Sequence, residues 1–133
     1  MKNIPASDCV YVGTSKIIKA GRGVFTSRDV KKGEIIERCP IVEIPRYELF
    51  SLNDSILVTY FFYFGKEKER LAIALGFGSI YNHSYSPNAK FKIIQKERLI
   101  DFFALKNIKK GGEITVSYYN GTPEKSPLWF EAK

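Results

Sequence analysis

The sequence predicts a mainly β domain built from several short, strongly bent sheets with few short helices. Three observations carry that expectation. Ten Phe and eight Tyr are present, and aromatic side chains suit the pleated surface of a sheet. Short apolar segments alternate with Gly, Pro and charged turns, the rhythm of many short strands. A chain of 133 residues that is 44% hydrophobic can bury about two thirds of its unfolded surface in one core, which excludes disorder on compositional grounds.

Taken in order, Val10 to Val12 and Ile17-Ile18 read as strand pieces, Gly21 to Gly23 as a turn, and Val24-Phe25 as resumed extended chain. Lys31-Lys32-Gly33 turns into a strand over Glu34 to Ile44, interrupted by Pro40 and ended by Pro45; a proline inside a strand implies an edge or a bend. Asp54 is a candidate cap for one short helix over Ser55 to Tyr60. Phe61 to Phe64 and Arg70 to Leu75 form a hairpin about Gly65 to Glu69, and Lys90 to Gln95 and Leu99 to Ala104 a second about Lys96 to Arg98. Within the latter, Phe91, Ile93 and Gln95 share a face by the two-residue period of a strand. Lys109 to Gly112 is a turn and Glu113 to Tyr118 the final strand.

The formal charge is +7 with pI near 9.4. The basic residues are scattered among predicted turns such as Lys31-Lys32, Lys66 to Arg70 and Lys106 to Lys110, which reads as solvated corners. No arginine-rich tract or basic strand interleaved with aromatics appears, so nucleic acid is not the expected ligand. Two cysteines, Cys9 and Cys39, and a single histidine, His83, cannot supply the four ligands of a structural zinc site, so no metal is expected. Free thiols are the expectation for an intracellular chain. Met1 to Asp8 lacks the apolar core of a signal peptide, and Ile56 to Phe64 is too short to span a membrane. The glycosylation sequons at Asn82 and Asn120 are therefore read as incidental.

The most informative stretch is Asn82-His83-Ser84-Tyr85-Ser86-Pro87-Asn88, after the apolar glycine-rich run Ala74 to Tyr81. So many side chains that compete for backbone hydrogen bonds, placed directly after an apolar run, suggest an ordered loop with a function. With Gly21-x-Gly23-Val24-Phe25 before it and Glu113-Ile114-x-x-x-Tyr118 after it, it resembles the three signature segments of SET-domain protein lysine methyltransferases, in that family's order, over about Tyr11 to Gly121. A lone Gly-x-Gly or a Glu-Ile-x-x-x-Tyr strand is weak evidence; the NHSxxPN segment and the ordered set are specific.

The resemblance implies a β-clip-like fold with a knot-like C-terminal segment, a rare exception to unthreaded chains. It implies one SET domain over residues 1–133, with a core of about 11–121 and a tail of 122–133. The implied reaction moves a methyl group from S-adenosyl-L-methionine to the ε-amine of a lysine in a histone or other basic protein, leaving S-adenosyl-L-homocysteine. The residues suit that chemistry. A lysine amine titrates near 10.4 unperturbed, and an apolar channel disfavours its charged form. In-line attack on a sulfonium methyl then needs alignment above all, worth about 7–11 kcal/mol, rather than a metal or a nucleophilic side chain.

By resemblance Tyr118 is the central catalytic residue, its hydroxyl beside the transferring methyl. Gly21, Arg22 and Gly23 would bring backbone close to the cofactor, Arg22 through its main chain. Asn82 would hold the cofactor by its amide and His83 largely by its main chain, with no proton-transfer role. Tyr60 matches a further cofactor-contacting tyrosine. Phe91 and Val116, with Tyr118, would line the lysine channel at positions where relatives often carry tyrosine, which implies room for more than one methyl. Glu113 would fix the last strand, and Gly111-Gly112-Glu113 departs from the family's usual Gly-Glu-Glu. The chain lacks cysteine-rich flanks, like the minimal viral and prokaryotic forms, and Pro127-Leu128-Trp129-Phe130 is the candidate cap over the cofactor, with Trp129 in contact. The same aromatics could instead dock on the core or on a second subunit as a homodimer.

Two other readings stand beside the enzyme: a catalytically weak SET-like module that binds a lysine-bearing tail, and a small basic β domain that binds nucleic acid. The expected partner is a lysine-containing protein or peptide, with no membrane. The expected compartment is intracellular, cytoplasmic if the source is prokaryotic and nuclear or cytoplasmic otherwise.

Overall fold

A computed structural model describes residues 3–118, and its strands are short because the chain keeps changing partners. β1 (Val10–Thr14) and β2 (Arg22–Thr26) form an antiparallel hairpin. β3 (Ile35–Pro45) is the longest strand. It is followed by a 3-10 turn over Arg46–Glu48, α1 (Leu49–Asn53) and a second 3-10 turn over Ile56–Thr59. β4 (Phe61–Phe64) and β5 (Arg70–Ala74) make a hairpin, β6 (Asn82–His83) is a two-residue strand, β7 (Ala89–Ile94) and β8 (Leu99–Ala104) make another hairpin, and β9 (Glu113–Val116) closes the described chain. The sheets run β1-β2-β9-β6 and β4-β5-β3-β8-β7, as expected of a mainly β chain with bent sheets.

β3 shows how the bending arises. Its first half pairs with β8, from Ile35 opposite Phe103 to Pro40 opposite Leu99, and its second half pairs with β5, from Ile41 opposite Ala74 to Pro45 opposite Arg70. Pro40, which has no N–H to give, stands where one partner is exchanged for the other. The expected edge or bend is thus a handover in a strand that is central in the sheet order but paired on one side at a time. An irregularity between Ile35 and Glu37 breaks the alternation, so that Ile36 and Glu37 are both buried.

Local expectations differ from the structure in several places. Ile17-Ile18 lies in a turn, closed by Ala20 N–H to the Ile17 carbonyl at 3.1 Å, and is no strand. Of Gly21 to Gly23 only Gly21 belongs to the turn, with φ at +75°; Arg22 already starts β2. Asp54 caps nothing at an N-terminus: it closes α1, while Ser55 Oγ accepts the Leu57 N–H at 3.1 Å and caps the next turn. The final strand ends at Val116, two residues before Tyr118. The knot-like segment, the tail of residues 122–133, the sequon at Asn120 and Trp129 lie outside the described residues.

The core lies between the sheets, around Val24, Ile100, Phe102 and Ile114 (all fully buried), with the Tyr81 ring stacked on Phe102 at 4.4 Å. Cys9 and Cys39 are buried free thiols. Among the described residues no helix is long and apolar enough to cross a membrane.

Candidate active site

The glycine-rich run that precedes the central motif packs as successive turns over Leu75–Ile80. A Cβ at Gly78 would meet Ala74 Cβ at 2.6 Å and Cys39 Sγ at 2.8 Å, so only glycine lets this run lie against β3 and β5. Ser79 Oγ lies 3.1 Å from the carbonyls of both Ala74 and Tyr60 and shares its one proton between them, which ties the run to the segment before β4. The chain next enters β6, where Asn82 and His83 pair in parallel with Thr115 and Val116 of β9. The expected loop is here a strand for two residues.

β9 is held between β2 and β6 by side chains as well as backbone. Asn82 Nδ2 donates to the Arg22 carbonyl and to Glu113 Oε2, each at 2.8 Å, and Ser15 Oγ donates to Glu113 Oε1 at 2.7 Å. Since a carboxylate only accepts, the Asn82 NH2 must face Glu113. Both its N–H donors are engaged, so a ligand would find only its carbonyl oxygen. Asn88 bridges the next rung, donating to the Glu113 carbonyl at 2.8 Å and accepting the Thr115 N–H at 2.9 Å.

Tyr118 is positioned at two points. Its backbone N–H donates to His83 Nδ1 at 3.0 Å, and its hydroxyl donates to the Tyr81 carbonyl at 3.0 Å. An accepting Nδ1 makes His83 the neutral tautomer with its proton on Nε2, and burial lowers the pKa of this imidazole, favouring that neutral form. The Tyr118 phenol is pushed up to about 12, chiefly by burial and further by Tyr60 beside it, and so stays protonated near neutral pH.

Tyr118 stands where two clefts meet. A small one, about 50 Å³, is lined by Ala20, Arg22, Ile80 and Asn82; a larger one, about 700 Å³, is lined by Phe62, Tyr81, Phe91, Ile93 and Val116 among others; Thr59, Tyr60, Ser79 and Tyr118 line both. The structure therefore brings Arg22, Asn82, Tyr60 and Tyr118 to one side, and Phe91, Val116, Tyr60 and Tyr118 to the other. Gly21, Gly23 and His83 line neither cleft. Gly23 is required from below: a Cβ there would collide with the Glu113 carboxylate and lie 2.9 Å from Asn82 Nδ2. The His83 ring accepts the Tyr118 N–H.

Reading the sequence alone missed Tyr81 and Glu37. Glu37 is buried, accepting the Tyr81 hydroxyl at 2.8 Å and the Phe77 N–H at 3.0 Å. Burial, and then Glu37, raise the Tyr81 pKa well above its ordinary value, so Tyr81 remains a donor and its ring stays fixed above the carbonyl that Tyr118 uses. Glu37 stands in no motif, and its burial follows from the irregularity in β3 between Ile35 and Glu37.

Residues 21–119 match the family described as SET domain. The chain is 28% identical over 113 residues to a Schizosaccharomyces pombe histone-lysine N-methyltransferase specific for H3 lysine-37, covering 85% of this chain and 72% of that protein. It is similar to a solved chain of a candidate histone methyltransferase from Plasmodium falciparum, with a TM-score of 0.64 and 37% identity over 83% of this chain and 92% of that one. It shares its fold with part of the Chaetomium thermophilum Polycomb Repressive Complex 2, with a TM-score of 0.73 and 24% identity, covering 89% of this chain but 16% of that one. The matched span includes β2, the glycine-rich run, the Asn82–Asn88 segment and β9, and the chain belongs to the SET-domain family.

Proposed function

We propose that this chain is an S-adenosyl-L-methionine-dependent protein-lysine N-methyltransferase. The observation that carries the reading is the meeting of a polar cleft and an apolar cleft at one half-buried tyrosine. Support comes also from the names of its relatives, one a histone-lysine N-methyltransferase, and from a structural neighbour bound to S-adenosylmethionine.

The donor set suits such a cofactor. Ala20, Arg22, Asn82 and Tyr60 offer backbone, a free carboxamide oxygen and an aromatic wall, which match an amino-acid group and a sulfonium cation. The small cleft, about 50 Å³, would hold only part of the donor. When bound, S-adenosyl-L-methionine supplies an electrophilic methyl on sulfur.

The rest falls to the chain's own residues. Phe62, Phe91 and Val116 surround the target amine with apolar surface, which favours its neutral, nucleophilic form. None of the described residues lining the larger cleft is a carboxylate or a histidine, so the proton leaves to water before the amine closes on the methyl. Tyr118, protonated and anchored to the Tyr81 carbonyl, lines both clefts at their junction and fixes the line of approach.

The test is incubation with labelled donor and a lysate or peptide set, followed by mass spectrometry of lysines. Tyr118→Phe is expected to lower turnover by about 100-fold or more, the scale of a misaligned reacting pair. Its thermal stability should change little, because one neutral hydrogen bond is worth about 1 kcal/mol. Transfer that survives this change at full rate refutes the assignment of Tyr118, and a chain that takes up no donor in calorimetry refutes the enzyme.

A further inference from the structure

The larger cleft has an unusual balance of charge for a surface that meets lysine-bearing chains. Of the described residues that line it none is Asp or Glu, and one, Lys68, is a cation. Lys68 lies in the turn between β4 and β5 and is exposed, with φ at +59°. Arg46 reaches the same lip: its guanidinium lies 5.4 Å over the Tyr63 ring and donates to the Lys68 carbonyl at 2.8 Å.

Two of the nearby carboxylates, Glu69 and Glu43, lie against Arg70. Glu69 accepts the Glu67 N–H at 2.9 Å and lies 3.7 Å from Arg70, and hydrogen bonds from its own backbone N–H and then from that of Glu67 lower its pKa. Glu43 pairs with Arg70 at 3.0 Å. The same cleft that Lys68 and Tyr118 line carries the apolar side chains of Val58, Phe61, Phe62 and Ile93. The preceding segment leaves Tyr47, Phe50 and Ile56 more than four fifths exposed.

We propose that this lip selects a protein segment whose target lysine is flanked by apolar and acidic residues, and that it disfavours arginine- and lysine-rich flanks. The inference rests on the transferase reading for the identity of the target group, and on the lip itself for the flanks. Apolar neighbours of the lysine would settle on the Phe61–Phe62 wall, while a carboxylate two or three residues away would meet Arg46 and Lys68. A guanidinium in that place would face like charge, which is how interfaces reject wrong partners. The overall charge of +7 acts in the same direction at longer range.

The experiment uses the full chain, labelled donor and peptides that share one lysine and its apolar neighbours but carry Glu, Ser or Arg as flanks. Both kcat/KM and binding by fluorescence anisotropy are read. At about 50 mM salt the Glu-flanked peptide should exceed the Arg-flanked one by about tenfold, and the gap should narrow at high salt as exposed charges are screened. The double variant Arg46→Glu with Lys68→Glu should erase or invert the order, with donor affinity checking that it folds. An equal or better response to Arg flanks, or an unchanged order in the double variant, overturns the proposal. The two readings fail separately. Acidic preference in anisotropy with no methyl transfer to any peptide sinks the transferase and supports the lip; transfer with a preference for arginine does the reverse.

Discussion

The imidazole of His83 accepts the Tyr118 N–H through a nitrogen that can do so only while unprotonated. This gives the site a pH dependence that does not involve proton transfer to substrate. Burial holds the His83 pKa below its ordinary value of 6.5, so between the two values the unfolded chain binds a proton that the folded chain refuses. By linkage, stability is fully present above pH 6.5 and is lost as pH falls towards the folded value. Denaturant titrations of the wild type should show this loss on acidification through pH 6.5, and His83→Gln should flatten it. A wild-type profile that is level between pH 7.5 and 5, a window set about the ordinary histidine pKa, would show that the ring does not carry this linkage.

Residues of the site were unequally legible. Tyr118, Asn82 and Arg22 stand in spaced motifs, and the junction gathers them. Gly23 was also singled out, for close approach to a cofactor; the structure adds that the space its missing Cβ leaves is filled by Glu113 and Asn82. Glu37 could not be found by motif at all. Its burial depends on an irregularity between Ile35 and Glu37, and nothing in a string of residue types marks where a strand slips.

At the scale of elements, β9 depends on a polar clamp as much as on its backbone ladder. Ser15 comes from the loop after β1, Asn82 from β6 and Glu113 from β9 itself, so one carboxylate joins three parts of the four-stranded sheet. Gly23→Ala should therefore act by pushing this carboxylate aside and cost about 1–3 kcal/mol, as overpacking does. In a Glu113→Ala background the same change should cost much less, a coupling that a double-mutant cycle reads directly. Additive effects would mean that the clash is with the backbone and not with the clamp. Hairpins were the easiest elements to read, since alternating apolar pairs flank charged turns at Gly65 to Glu69 and Lys96 to Arg98. Short helical turns were the hardest: Asp54 and Ser55 are adjacent, both can cap, and composition does not choose between them.

For the molecule as a whole, the channel arises only where two sheets meet. Phe91 comes from β7 of the five-stranded sheet, while Val116 ends β9 of the other, and Tyr118 follows it. The Phe91 ring is held edge-on by Phe62 at 5.0 Å, a contact worth about 0.5–1.5 kcal/mol. Phe91→Tyr places a hydroxyl in the space proposed for a methylated amine. It should shift products towards monomethyl-lysine in mass spectra while the first methyl is still added. A wild type that stops at one methyl would contradict the proposed width. The fold class was readable because aromatic content and turn spacing are properties of the whole string, but which sheet each strand joins was not. β3 serves two neighbours in succession, and periodicity is silent about partners.

The position of β9 has a consequence for biosynthesis. The rung that joins β2 to β6 is supplied by residues 113–116, more than eighty positions after the β2 residues that they pair with. Closing so long a loop is entropically slow, and until it closes the hollow around Tyr118 has no floor. A ribosome-bound chain halted before Glu113 would carry its glycine turn and its Asn-His pair yet lack Val116 and Tyr118, so the candidate site cannot assemble before β9 has been made.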